Sequence, residues 1–234
     1  GVSGRYNEAS LRYQAYLFNG FLSTTSDGNG TIVSGKIGGS NGLRGGRQKG
    51  IKSTMNNVNF SGKLDYYGLP GLRLGFSGYF GRTQSPVDVQ DIDGAAIGLT
   101  MIGLDARYAY QRFTARGQFI YGSLSDTEAY NMITGQDLGS ALQGYYVEAA
   151  YNLLSQEKKQ QLFGFVRYEA FDTHQKIDAN IVKNLSYDRQ EWTFGLSYKI
   201  AQGAVVKGDY QLKNNASPVS TSTNQLNFGV GVWF

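Results

Sequence analysis

The sequence predicts an all-β fold: an antiparallel transmembrane β-barrel with about ten strands in this chain. Three observations predict it. Apolar and polar residues alternate with period two along most of the chain, and helical periodicity is nearly absent. The alternating segments run about 10–13 residues, longer than the roughly 5–6 of soluble sheets and suited to a tilted strand that crosses a bilayer. The connections between them are short and long by turns, as in a barrel with tight turns at one rim and long loops at the other.

The elements follow in order. Residues 1–5 (GVSGR) read as the stub of a descending strand and residues 6–8 as its turn, so the expectation is that further strands of a larger barrel precede them. The first full strand is 9–20, followed by a long connection, 21–54. Strand 55–67 sets Val58, Phe60, Gly62, Leu64 and Tyr66 on one face and Asn59, Ser61, Lys63 and Asp65 on the other. A tight LPG turn leads to strand 71–82, and a long loop leads to 97–110. The turn QR joins this strand to 112–124, and a long loop leads to 143–154. The turn SQEKK precedes 160–172, and a long loop leads to 189–201. There Trp192, Phe194, Leu196, Tyr198 and Ile200 oppose Thr193, Gly195, Ser197 and Lys199. The turn QG opens 204–213, where Val206, Gly208, Tyr210 and Leu212 oppose Lys207, Asp209, Gln211 and Lys213.

The last segment, 223–234, alternates to its final residue and places Leu226, Phe228, Val230, Val232 and Phe234 on one face. Unpaired backbone groups in lipid cost several kcal/mol each, so this strand is expected to close the barrel, with Phe228, Trp233 and Phe234 as its markers. Counting back from a C-terminus on the periplasmic side of a bacterial outer membrane puts every short turn on that side. Tyr66, Tyr67, Tyr108, Tyr110, Tyr151, Trp233 and Phe234 then lie near periplasmic ends, and Trp192 and Tyr145 near outer ends, as interfacial girdles would.

Composition narrows the classes. No run approaches the roughly 18 apolar residues of a membrane helix. The absence of Cys excludes disulfides and thiolate metal sites. The only histidine, His174, reads as a solvated loop residue, and no Ser/His/Asp arrangement accompanies it, so no catalytic residue, cofactor or metal is expected. Asp88, Asp91 and Asp93 have oxygen donors that would suit Ca²⁺, but their spacing matches no calcium loop, and a solvated acidic loop is the plainer reading. The basic run lacks interleaved aromatics, so nucleic acid is not an expected partner. A soluble β-sandwich remains an open alternative, because alternation alone does not say which face is buried.

Several stretches, in order, resemble the phosphate-selective porin (porin O and P) family of outer-membrane barrels: LRYQAYLFNGF, NNVNFSGKLDYYGLPGLRLGFSGYFG, YYVEAAYNLL, FGFVRYEAFDT, EWTFGLSYKIAQGAVVKGDYQL and NFGVGVWF. The resemblance implies a sixteen-stranded, usually trimeric barrel, of which this chain would be the C-terminal part. It implies passive diffusion of small polar or anionic solutes, without carrying over phosphate specificity.

The polar face is the informative one. It carries Arg73, Arg107, Arg116, Arg167, Lys199 and Lys207 as lumen cations, with Arg12, Lys63 and Lys213 beside them. Its acids are Asp65, Asp105, Glu148, Glu169 and Asp209, together with Glu191. A Lys or Arg facing lipid at midplane costs about 2–4 kcal/mol, so these residues are expected to face water or one another. Charges two apart on one strand (Lys63 with Asp65, Asp105 with Arg107, Arg167 with Glu169, Lys207 with Asp209) suggest pairing along the wall. The connection 21–54 holds Lys36, Arg44, Arg47, Lys49 and Lys52 against Asp27 alone, a surplus of four that equals the net charge of the chain. As a basic outer loop it would draw anions to a channel mouth, or pair with lipopolysaccharide phosphates. The second function class left open is an accessory barrel with a closed lumen that docks to other envelope proteins.

Overall fold

The computed structural model describes residues 1–219 and 222–232, and for Lys52 the backbone alone. Eleven strands form one antiparallel sheet: β1 (Val2–Tyr6), β2 (Leu11–Asn19), β5 (Val58–Leu69), β6 (Leu72–Arg82), β7 (Gly98–Tyr110), β8 (Phe113–Ser125), β9 (Ala141–Asn152), β10 (Gln161–Lys176), β11 (Asp188–Ala201), β12 (Ala204–Asn215) and β13 (Thr223–Val232). A small hairpin, β3 (Thr24–Ser26) and β4 (Ile32–Gly35), lies within the first long connection, and one α-helix, α1 (Thr127–Thr134), within the third. Within the large sheet each strand pairs with the sheet strands before and after it in the chain, so the sheet is an up-and-down meander.

The ten alternating segments are all strands, and the opening stub is β1. The largest departure is β10, which runs on to Lys176 through a register shift after Asp172. Helix α1 was not legible: eight residues give too little periodicity, although Glu128 in the first turn and Gly135 at φ +66 past the last are ordinary start and stop signals. At the β5–β6 turn Gly71 adopts φ +77, a left-handed conformation that glycine takes without steric penalty.

Residues opposite one another on neighbouring strands share a face, and the two faces differ sharply. Leu64, Phe76, Leu104, Val147, Phe194, Leu196 and Phe228 are exposed on one; Asn59, Asp65 and Thr193 are buried on the other. A soluble sandwich would bury the first set. The fold is therefore the barrel-like one, with its apolar face outward. Outward rings cluster toward the long-loop ends of β9–β11: Tyr145, Tyr168, Trp192 and Phe194 are linked in series by centroid distances of 6.1, 4.8 and 6.0 Å.

The expected closure is not observed. Among the described residues β13 pairs with β12 and not with β1. Alternation sets the two faces of a sheet but not the curvature, tilt and stagger that would bring its edges together. Phe228 stands in β13 on the apolar face; Trp233 and Phe234 lie outside the described residues.

Candidate functional site: a basic row and a segment folded across the inner face

The strand register assembles the site. Arg73 stands opposite Arg107, Arg107 opposite Arg116, Arg116 opposite Glu148, and Glu148 opposite Arg167. Five adjacent strands thus contribute four arginines and one glutamate to a single row on the polar face. Like charges directly opposite one another destabilise a sheet, so folding alone does not favour the Arg73–Arg107–Arg116 run.

Side-chain length sorts the charges by depth. Asp65, Asp105 and Glu148 lie against the wall, their side chains 7%, 14% and 14% exposed, whereas those of Arg73 and Arg116 are 46% and 52% exposed. Lys63 Nζ lies 2.6 Å from Asp105 and 3.4 Å from Asp65, and Arg73 reaches the same two carboxylates at 3.5 and 3.8 Å. Glu148 receives a two-pronged contact from Arg116, at 2.9 and 2.8 Å, and lies 3.7 Å from Arg167. Arg167 also bonds Glu169 at 2.8 Å and sits 3.9 Å over the Tyr146 ring.

Of the four pairs expected along single strands, Lys63–Asp65 and Arg167–Glu169 form. Asp105 and Arg107 do not pair, because Asp105 is held across strands by Lys63 and Arg73. Lys207 and Asp209 do not pair either, and Asp209 instead accepts from Asn227 at 2.8 Å. Among the described residues Arg107, Lys199 and Lys207 have no carboxylate partner, and Lys199 rests 5.1 Å from the Phe163 ring centroid. These three, with Arg116, Glu148 and Phe163, line a hollow of about 310 Å³ toward the short-turn end.

At the other end the connection 21–54 lies folded on the inner face. Ser23 N donates to Gln84 O at 2.9 Å, Gly39 N to the Asp137 carboxylate at 2.9 Å, and Arg189 Nη1 to Ser40 O at 3.0 Å. The segment leaves β2, the second strand of the sheet, and reaches Arg189 on β11, the ninth. Ile37, at its middle, is buried with Ile97, Leu99, Leu124, Tyr130 and Leu138, so the one apolar core of the described residues sits at the long-loop end. The Tyr130 hydroxyl donates to Ile37 O at 2.7 Å and accepts from Ile37 N at 3.2 Å; burial pushes its pKa up to about 12. Lys36, Arg44, Arg47 and Lys49 point away from this core and are exposed; the Lys52 side chain lies outside the described residues.

One expectation about a loop residue changes. His174 is not solvated but fully buried, because the bulge in β10 turns it under the crossing segment. Asp88, Asp91 and Asp93 are exposed, as a solvated acidic loop implies; Asp88 accepts from Ser26 Oγ at 2.8 Å and Gly30 N at 3.1 Å, and the Ser26 bond holds its carboxyl below the usual range. Among the described residues no group of His, Asp and Glu could hold a metal ion. Sequence reading also missed the clamp of Arg82 on Asp126 at 2.7 Å, which ties β6 to the start of α1. Neither residue belongs to a motif, and only the pairing of β6 with β7 and of β7 with β8 brings them together.

Comparison with known proteins agrees at the level of fold. No protein-family model matches the chain, so the resemblance to the phosphate-selective family gains no support. A curated protein of Aquifex aeolicus (strain VF5), described as uncharacterized, is 26% identical over 223 residues, 88% of this chain and 47% of the relative. A porin refined at 1.8 Å resolution superposes with a TM-score of 0.50 and 14% identity, covering 97% of this chain and 60% of the porin. The chain thus spans about half of the curated relative that it matches, and its fold is porin-like.

Proposed function

We propose that the protein is part of an outer-membrane porin-like channel, in which small polar solutes diffuse passively through a water-filled lumen with a preference for anions. The observation that carries this reading is the row of arginines opposed across β6, β7 and β8, a repulsive arrangement that an aqueous, anion-attracting wall would explain. An anion entering at the long-loop end would meet exposed Lys36, Arg44, Arg47 and Lys49 first. It would then pass the row of Arg73, Arg107 and Arg116, and last Lys199 and Lys207 nearer the short-turn end. The acids lie behind the row and do not cancel its outermost charge. No bond is made or broken, and no catalytic group is assigned.

In this reading the long loops face outward and can touch lipopolysaccharide, the C-terminus is periplasmic, and the apolar face meets lipid or, in a homotrimer, a second copy. The test is single-channel conductance in a planar bilayer under a KCl gradient. The expected result is a steady conductance whose reversal potential favours Cl⁻, and a weaker preference in the Arg107→Gln/Lys199→Gln variant. Properly inserted protein that does not conduct would overturn the reading. That outcome would favour a closed accessory barrel docked to envelope proteins, a reading suggested by how fully segment 21–54 packs on the inner face.

A further inference from the structure

His174 takes no part in the charged row, yet it is fully buried beneath the crossing segment with both ring nitrogens engaged. Its Nε2 lies 2.5 Å from the Asp137 carbonyl oxygen, which can only accept, so Nε2 carries the proton. Its Nδ1 lies 3.1 Å from the Asn184 amide, which can only donate, so Nδ1 is bare. The two contacts select one neutral tautomer. The Tyr187 ring closes the site edge-on at 4.7 Å. Gly39 of the crossing segment lies on this assembly so closely that a Cβ there would collide with both the imidazole and Tyr187. Gly39 is pinned by the Asp137 carboxylate on its amide and by Thr173 Oγ1 on its carbonyl.

We infer that His174 is a proton-operated latch: protonating its imidazole releases the far end of segment 21–54 from β10 and β11 and unblocks the inner face. A second ring proton must go to Nδ1, where it faces the Asn184 N–H, donor against donor, in a site without solvent. The neighbouring charges offer no new partner. From the α1 connection the Asp137 carboxylate is taken by Gly39 N and the Tyr187 hydroxyl. On β10 itself Asp172 accepts the His174 amide at 2.7 Å and Lys183 at 3.0 Å. From β11 the Arg189 guanidinium is committed to Ser40 O and Ser186 O. The segment itself brings only the backbone of Gly39 and Ser40.

Only the consequence for permeation rests on the channel reading, so the test follows position and conductance separately. The chain has no Cys, so Ser40→Cys and Lys158→Cys accept a spin-label pair, and the protein is reconstituted in lipid. Distances are recorded at about pH 7.5 and about pH 5. The released population is expected to rise about tenfold at acid pH, the worth of roughly one buried hydrogen bond. His174→Gln keeps a donor and an acceptor but takes no proton, and should stay latched at both pH values; His174→Ala should be released at both. Labels that do not move in the parent protein, or that move equally in His174→Gln, would overturn the latch. Acid-driven movement without conductance would keep the latch and sink the channel; conductance without movement would sink the latch alone.

Discussion

Glu148 shows how much a single residue sets on this wall. It is short and lies near the backbone, while Arg116 and Arg167 extend past it toward the interior. Because Arg116 is half exposed, the pair contributes little to stability. Glu148→Gln should therefore leave the unfolding temperature within a few degrees and raise the anion-to-cation permeability ratio, read from reversal potentials. Tyr130 is the opposite case, structural and buried. Tyr130→Phe orphans both polar groups of Ile37 and should cost about 1–3 kcal/mol in detergent unfolding. Its phenol also sets an alkaline limit. The folded group keeps its proton to about 12, whereas the unfolded one loses it near 10.0, so the folded state binds more protons between those values. Its stabilising share is complete below pH 10 and lost as pH rises toward about 12. Phenolate absorbance in the parent protein, compared with Tyr130→Phe, should show this late ionisation.

Single strands carry two environments at once, and β7 separates them cleanly. Leu104 faces outward and is exposed, while Arg107 faces the interior. Leu104→Lys should cost about 2–4 kcal/mol of folding free energy in vesicles if its face meets lipid. Arg107→Gln should cost far less. Equal costs, measured by urea titration, would contradict the assignment of faces. The β5–β6 turn has its own signature: Gly71→Ala places a Cβ against Ala109 O at a positive φ, and the left-handed strain alone is roughly 1–2 kcal/mol. A lower melting temperature with unchanged ion preference is the expected outcome.

For the whole molecule, the large feature is segment 21–54, packed on the inner face at the long-loop end. Replacing residues 24–46 by a short Gly-Ser linker removes the hairpin β3–β4, the Ile37 contacts and two of the loop cations, Lys36 and Arg44. Single-channel conductance should then rise and Cl⁻ preference fall, since both obstruction and basic charge are lost; an unchanged conductance would place the constriction elsewhere. Much of the architecture behind this prediction was legible in advance. Period-two alternation located ten of the eleven sheet strands as full strands and the eleventh as a stub. The short segments β3, β4 and α1 were not legible, because elements of three to eight residues are held by contacts from distant parts of the chain.

The sequence by itself determined the strands, their order, their two faces and which charges share the polar one. These follow from local alternation and from turns whose chemistry is local. Only the tertiary structure decided that the apolar face is the exposed one, that Arg73, Arg107 and Arg116 fall into one row, and that His174 is buried. Each of these depends on register between strands, or on a loop packing across the sheet. Register couples Arg107 with Arg116, and Arg116 with Glu148, 32 positions away. The crossing segment couples Ser40 with Arg189, 149 positions away. No pattern within one strand encodes those partners, because they meet only when strands pair and a loop packs across the folded sheet.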